Sequence, residues 1–209
     1  DFVYWVCFSV CFAGLGTTVS EWLRAHPLLP LRVPEPEAVS SRLMSWASWT
    51  GIVMAGYLFY YFVFFPALMT GDSFACYVRA AGIAPISNQQ PVVYQLILAV
   101  FVALGNLFGD PNAGVAFFTL FQSLCMASIF GYSLYWMRRR GCPRTVLWVL
   151  ALWFGFSPLH GVYAVTIWKD VPFGGMVLLL TLFLADVVRT GGKNLLRWQG
   201  TVHFVLLCL

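Results

Sequence analysis

Long apolar segments alternate with short polar segments along this chain. The apolar segments are residues 2–19, 46–68, 91–108, 115–137, 145–165 and 171–188. Most are close to the roughly 20 apolar residues that a helix needs to cross a bilayer. The segments between them are rich in Gly, Pro, Asp and Arg, which is typical of loops. The pattern therefore predicts an all-α fold, a polytopic transmembrane helix bundle.

Composition excludes a soluble globular domain. The chain is 60% hydrophobic and 10% charged, with a mean hydropathy of +0.80. A soluble domain carries about 25% charged residues, and this chain has too few to cover a surface in water. The six cysteines form no CxxC pair, so we interpret them as small buried hydrophobic residues rather than metal ligands.

The basic residues predict how the helices are oriented. Ten of the twelve Lys and Arg residues lie in three stretches, 20–45, 138–144 and 189–200. The positive-inside rule places all three in the cytoplasm, and nothing in this distribution indicates nucleic-acid binding. If 91–108 crossed the membrane, the second stretch would face outside. We therefore predict that 91–108 is an interfacial or re-entrant helix in a long external loop, 69–114. The alternative is an ordinary span that breaks the rule locally.

Two regions are expected along the chain. Residues 1–45 would form an additional N-terminal transmembrane helix and a cytoplasmic linker, and residues 46–209 the transmembrane core. The final apolar run is too short to span a bilayer, so we expect an N-terminal fragment of a longer protein, with the last helix cut.

The polar residues that are hardest to explain structurally fall on the predicted external side. Asp72 directly follows a predicted span, where a partly desolvated carboxylate can act as a general base. It could equally cap a helix that begins at Ser73. Lys169 and Asp170 separate two apolar helices, a position where charged residues are costly and usually functional, although they could simply pair with each other. His160 could be either a ligand or a packed, hydrogen-bonded residue.

The order of these motifs resembles the GT-C superfamily of membrane glycosyltransferases. The similarity is to the protein O-mannosyltransferase and aminoarabinose-transferase branch and to related uncharacterised bacterial membrane proteins. It covers residues 46–190 and rests on five motifs: Gly71-Asp72-Ser73, Asn88-Gln89-Gln90-Pro91, RRRG at 138–141, FSPLH at 156–160 and Trp168-Lys169-Asp170. The chain departs from the family pattern at Gln90, where the family often has His, and at Ser73, where many members have a second acid.

The resemblance implies transfer of a sugar from a polyprenyl-phosphate-linked donor to a glycan, lipid or protein acceptor. The reaction would take place on the extracytoplasmic face of a bacterial plasma membrane. Asp72 would be the catalytic base. The implied substrate-binding residues are Arg79, Asn88, Gln89, Gln90, His160, Lys169 and Asp170, with Lys169 or Arg79 stabilising the departing phosphate.

No cofactor is certain from the sequence, although Asp170 could add a second carboxylate for a divalent metal ion. Two other classes of function stay open. One is a transporter or flippase for a lipid-linked glycan, which would place charges deep inside spans and show repeat symmetry. The other is a non-catalytic membrane subunit.

Overall fold

A computed structural model describes residues 38–85, 87 and 91–192. Seven helices occur within those ranges, and no strand does: α1 Val39–Val63, α2 Gly71–Ala80, α3 Val92–Leu107, α4 Pro111–Arg139, α5 Arg144–Phe156, α6 Pro158–Val165 and α7 Asp170–Arg189. The all-α prediction is confirmed for these residues. The predicted span 2–19, most of the linker, Asn88 to Gln90 and the apolar run at the C-terminus lie outside them.

Two helices, α4 and α7, are long and apolar enough to cross a membrane. The bent pair of α5 and α6 would be a third if it forms one span. Both α4 and α7 coincide with predicted spans, 115–137 and 171–188. Their agreement supports membrane association of the chain.

The central helix, α1, differs from its predicted extent. The sequence suggested a span over 46–68, but the helix starts at Val39, across the expected domain boundary at 45, and ends at Val63. A turn that contains Pro66 follows. Although α1 has 25 residues, it is not apolar enough to count with α4 and α7. Its Trp and Tyr residues pack against other helices in the core.

The segment 145–165, which the sequence predicts as one span, consists of two helices that together could still form one bent span. The break lies at Ser157, and the axes of α5 and α6 differ by 48°. Pro158 occupies the first turn of α6, where its missing N–H costs least. Ser157 is extended, with φ −62° and ψ 130°, as expected for a residue that precedes proline.

Helices α1, α4 and α5 approach each other closely through glycines. A Cβ atom added to Gly56 would lie 2.1 Å from the carbonyl oxygen of Gly155. One added to Gly131 would lie 2.7 Å from the backbone nitrogen of Thr50. Small residues at helix contacts let backbones touch, which is characteristic of packing in membrane proteins.

Helices α3 and α4 form an antiparallel hairpin. Gly109, with φ +71°, makes the turn, and the Asp110 carboxylate accepts a hydrogen bond from the Asn112 N–H at 2.9 Å. The pairing runs from Tyr94 and Phe118 to the close contact of Gly105 with Gly114. With 16 residues, α3 is about 24 Å long. It therefore falls short of the roughly 30 Å hydrocarbon core, and its re-entrant placement stays a prediction.

The described basic residues of the three predicted cytoplasmic stretches lie at one end of the bundle. Arg138 donates a hydrogen bond to Ser45 in α1, and Arg140 pairs with Asp186 in α7. These contacts align the start of α1 with the ends of α4 and α7. The arrangement agrees with the prediction that these basic residues share one side of the membrane. Which side that is stays a prediction.

Candidate functional site

A short parallel bridge joins the segments that lead into α2 and α7. The Leu68 N–H donates to the Val165 carbonyl at 3.0 Å, and the Ile167 N–H donates to the Leu68 carbonyl at 3.1 Å. Asp72 lies four residues after Leu68 in the first segment of this bridge, and Lys169 lies two residues after Ile167 in the second. The bridge therefore brings the first turns of two helices together, although they are distant in sequence.

Asp72 does not cap its helix, contrary to the structural alternative considered above. The N-cap is Thr70, whose hydroxyl accepts from the Ser73 N–H at 3.3 Å, while the Ser73 hydroxyl accepts from the Thr70 N–H at 3.0 Å. This capping box satisfies the end of α2 without Asp72. Among the described residues the Asp72 carboxylate has no hydrogen bond or ion pair. The Asp72 side chain is exposed, so the described residues do not provide the partial desolvation that the sequence analysis expected.

Three charged side chains act electrostatically on the buried thiol of Cys76. Asp72, Cys76 and Arg79 are spaced by four and three residues, so they lie on one face of α2. Burial raises the pKa of the Cys76 thiol, the positive charges of Arg79 and Lys169 oppose that rise, and the negative charge of Asp72 adds to it. The helical spacing places Asp72 and Arg79 on the Cys76 face of α2, and the Leu68 bridge brings Lys169 to the same region.

Asp170 lies beside the same cluster, at the start of α7. Its charge acts electrostatically on Tyr94 of α3, which packs with Cys76 and Ile167 in one apolar cluster. Within the described ranges, Lys169 and Asp170 form no ion pair with each other, so mutual pairing does not explain them. Pro172 falls in the first turn of α7, where proline is tolerated.

A buried glutamine in the middle of α4 fixes the position of the bridge. The Gln122 side-chain amide donates to the carbonyls of Thr166 at 2.7 Å and Ala164 at 3.2 Å. Its side-chain carbonyl accepts from the Tyr94 hydroxyl at 3.3 Å. The sequence analysis missed Gln122, although an amide inside an apolar run was a usable signal, because such a group must find partners inside a helix bundle.

His160 lies elsewhere in the bundle. Its ring packs edge-on against Phe130, at 5.2 Å between centroids, and Phe154, at 5.4 Å. The ring is partly exposed. Within the part of the chain that the structure describes, His160 makes no hydrogen bond. The packed alternative describes its position better than a place beside Asp72.

Four of the eight predicted site residues therefore meet at one place: Asp72, Arg79, Lys169 and Asp170. His160 does not join them, and Asn88, Gln89 and Gln90 lie outside the described residues. No three His, Cys, Asp or Glu side chains converge as a metal site within 38–85, 87 and 91–192.

An apolar groove of about 580 Å³ runs between α3, α4 and α7 and begins beside this cluster. Tyr94, Gln122 and Pro172 line it near the charged residues. The remaining lining is largely apolar and comprises Ile97, Phe118, Phe121, Leu124, Cys125, Met126, Ser128, Ile129 and Met176. We call this space the α3–α7 groove. Its volume lies within the range of about 300–1,000 Å³ that is usual for ligand sites.

Comparison with known protein families, characterised proteins and solved structures finds no match to this chain. The functional argument therefore depends on the residues and their placement. The charged cluster beside an apolar groove is the arrangement that has to be explained.

Proposed function

We propose that this chain is the membrane-embedded part of a glycosyltransferase that uses a polyprenyl-phosphate-linked sugar donor, with Asp72 as the general base. One observation carries the proposal: the Leu68 bridge brings the starts of α2 and α7, with Asp72 and Lys169, together beside the cluster of Cys76, Tyr94 and Ile167, where the α3–α7 groove begins. A lipid-phosphate donor needs an apolar surface for its tail and a cation for its phosphate. Both features are adjacent here.

The lipid tail would lie in the α3–α7 groove. A groove that opens between helices admits the tail directly from the bilayer, and van der Waals packing against the apolar lining would hold it there. The phosphate would then lie near Lys169 and Arg79. Arg is suited to phosphate because its guanidinium can donate two parallel hydrogen bonds.

The chemical step is a displacement at the anomeric carbon of the donor sugar. The acceptor hydroxyl oxygen forms a bond to that carbon while the bond from carbon to phosphate oxygen breaks. The hydroxyl proton passes to the Asp72 carboxylate, and polyprenyl phosphate leaves with the bonding electron pair. Lys169 and Arg79 stabilise the negative charge that develops on the leaving phosphate. Asp72 is suited to accept a proton because no described residue occupies its oxygens.

The α3–α4 hairpin supports the predicted topology. Helix α3 runs alongside the first half of α4 and is too short to cross a bilayer by itself. This alignment favours a re-entrant helix over one that lies flat on the membrane surface. The groove would then open sideways into the hydrocarbon layer, where a polyprenyl tail resides.

The test measures sugar transfer by the full-length protein reconstituted in lipid nanodiscs. Radiolabelled polyprenyl-phosphate mannose, glucose and arabinose are supplied separately with membrane extract as the acceptor source. Asp72→Asn removes the base and keeps the shape of the side chain, and Lys169→Gln removes the ammonium. The matched control is Asp110→Asn, because Asn caps a helix as well as Asp does and Asp110 lies at a turn outside the cluster.

Support requires transfer by the wild-type protein and by Asp110→Asn, with a loss of about 100-fold or more in Asp72→Asn. A comparable loss in Lys169→Gln would assign the phosphate contact. Full activity of Asp72→Asn would overturn the assignment of the base. If no donor is used but lipid-linked glycan crosses the membrane, the chain is a transporter and the proposal is wrong.

A further inference from the structure

A second cavity, of about 500 Å³, lies on the other flank of the first turns of α7. Its lining combines three aromatic rings, one carboxylate and two glycines, together with apolar residues: Met126, Phe130, Tyr163, Trp168, Asp170, Val171, Gly174, Gly175 and Leu178. We call it the aromatic cavity. Pro172 faces the α3–α7 groove, whereas Asp170 and Gly174 line the aromatic cavity, so α7 separates the two spaces.

The aromatic rings of this cavity are held in fixed positions. Tyr163 and Trp168 stack on each other, with 5.7 Å between centroids and 24° between planes. Phe130 stacks on Phe154 at 4.5 Å. Stacked rings lose little further freedom when a ligand packs against them, so they form a preorganised surface.

Asp170 provides the polar group of the aromatic cavity. Its carboxylate is exposed, and within 38–85, 87 and 91–192 it forms no hydrogen bond or ion pair. Ring hydroxyls of a sugar can donate to a carboxylate. The C–H groups on the face of the same sugar ring pack against aromatic side chains. Flat aromatic rings beside one carboxylate therefore match a sugar ring.

We infer that the aromatic cavity binds the acceptor of the transfer reaction as a sugar ring that bears free hydroxyl groups. This inference rests on the proposed function, because only a transferase needs a second substrate beside the donor. Asp170 would accept hydrogen bonds from the hydroxyls of the ring, while Tyr163, Trp168 and Phe130 pack against its faces. The donor and the acceptor would then approach the first turn of α7 from opposite flanks.

A cationic ligand is less compatible with the cavity than a sugar ring. Aromatic rings and a carboxylate can also bind an ammonium group. However, Lys169 directly precedes Asp170, and its positive charge would repel a cation there.

Gly174 provides a sharp test of the cavity. A Cβ atom added at Gly174 meets no other atom within 4 Å. Gly174 lies on the same face of α7 as Val171 and Leu178, which also line the cavity, so a larger side chain there can occupy the cavity without displacing the backbone. Gly174→Leu should fill the space and leave the fold intact. Gly51→Leu is the matched control, because Gly51 is also open, lies within a helix and lines neither cavity.

The measurement is saturation-transfer NMR on the full-length protein in nanodiscs, without donor. The probes are methyl β-D-glucopyranoside, methyl α-D-mannopyranoside and methyl α-L-arabinopyranoside, with tetramethylammonium as the cationic probe. We expect at least one glycoside to bind wild type and Gly51→Leu. Its affinity should fall about tenfold or more in Gly174→Leu, a loss of about 1.4 kcal/mol. Asp170→Asn should also weaken binding.

The outcomes separate this inference from the proposed function. If no glycoside binds wild type, or if Gly174→Leu binds as well as Gly51→Leu, the sugar site is wrong even if Asp72-dependent transfer is present. If only tetramethylammonium binds the wild-type protein, and Gly174→Leu abolishes that binding, the cavity is a cation site and the inference is overturned. A third outcome is that glycosides bind and Gly174→Leu weakens their binding, but the wild-type protein transfers no sugar. The sugar site would then be correct and the proposed transferase activity wrong.

Discussion

Arg140, at the end of α4, is bonded through its guanidinium to the carboxylate of Asp186 in the last turns of α7. The Trp136 indole N–H donates to the same carboxylate at 3.0 Å, and the Arg140 guanidinium carbon lies 3.5 Å from the centroid of the Trp136 ring. Asp186 lies near the end of an apolar helix, a position where solvation alone can satisfy a carboxylate. The structure instead makes it the polar link between the two helices that are candidate spans.

Removing the charge of Asp186 should destabilise the bundle. Asp186→Asn keeps an acceptor for Trp136 but leaves Arg140, which is 7% exposed, without its counter-charge. We expect a loss of about 1–3 kcal/mol, less than the roughly 3–5 of a fully buried pair, because the Asp186 side chain is 29% exposed. Thermal unfolding in nanodiscs measures this loss of stability, with Asp110→Asn as the control. Equal stability of the two variants would contradict the role of this pair.

Adding one methyl group to Gly56 should weaken the core. A Cβ atom there would meet backbone atoms of Gly155 that cannot rotate away, so α1 and α5 must move apart. Gly56→Ala should cost about 1–3 kcal/mol, whereas Gly51→Ala on the same helix should be neutral or stabilising by up to about 1 kcal/mol. Chemical or thermal unfolding measures the stability of Gly56→Ala and of Gly51→Ala relative to wild type. A stable Gly56→Ala protein would show that these helices do not touch there.

The thiol of Cys76 should report the charges around it. Its pKa is raised, so at neutral pH less of it is thiolate than in an exposed cysteine, and alkylation should accelerate only at higher pH. Lys169→Gln removes a charge that lowers this pKa, so the midpoint should move up. Asp72→Asn removes a charge that raises it, so the midpoint should move down.

Iodoacetamide alkylation, followed against pH in a variant that keeps only Cys76, measures both shifts. Asp110→Asn provides the baseline because it lies outside the cluster. Identical midpoints in Lys169→Gln and Asp72→Asn would mean that the two charges do not meet at this thiol.

Topology labelling should place Gly71 and Asn112 on one side of the membrane and Thr145 on the other. All three are exposed, so cysteines introduced there can react with a membrane-impermeant maleimide in intact cells. Common labelling of the first two from outside, with Thr145 protected, is expected if α3 is re-entrant. If Gly71 and Asn112 report opposite sides, α3 spans the membrane.

The sequence predicted the extents of α4 and α7 closely and misjudged those of α1 and of the α5–α6 segment. The extents of α4 and α7 followed from uninterrupted apolar runs. The start of α1 was placed too late because Ser40, Ser41 and Arg42 suggested a linker, whereas the structure shows helix from Val39. The break at Ser157 was missed although Pro158 was visible, because hydropathy alone does not register a lost N–H.

Only part of the candidate site could be predicted from the sequence, because the remaining contacts depend on how the helices pack. Asp72, Lys169 and Asp170 stood out because charged residues are costly beside apolar helices. Arg79 joins them through helical spacing and the fold of α2. Cys76, Tyr94 and Gln122 could not be linked to them in advance, since these contacts depend on which helices become neighbours. His160 was grouped with them by chain position, and the packing of α6 places it against Phe130 and Phe154 instead.

The bridge between Leu68 and the residues around Thr166 also means that the charged cluster is assembled late during synthesis. Asp72 leaves the ribosome almost one hundred residues before Lys169, counted along the sequence. Until the second segment emerges, the extended backbone at Leu68 has no partner and the carboxylate stands alone. A nascent chain that stops before residue 166 would therefore hold Asp72 and Arg79 without Lys169 and Asp170, and the cluster would be complete only after the start of α7 has emerged.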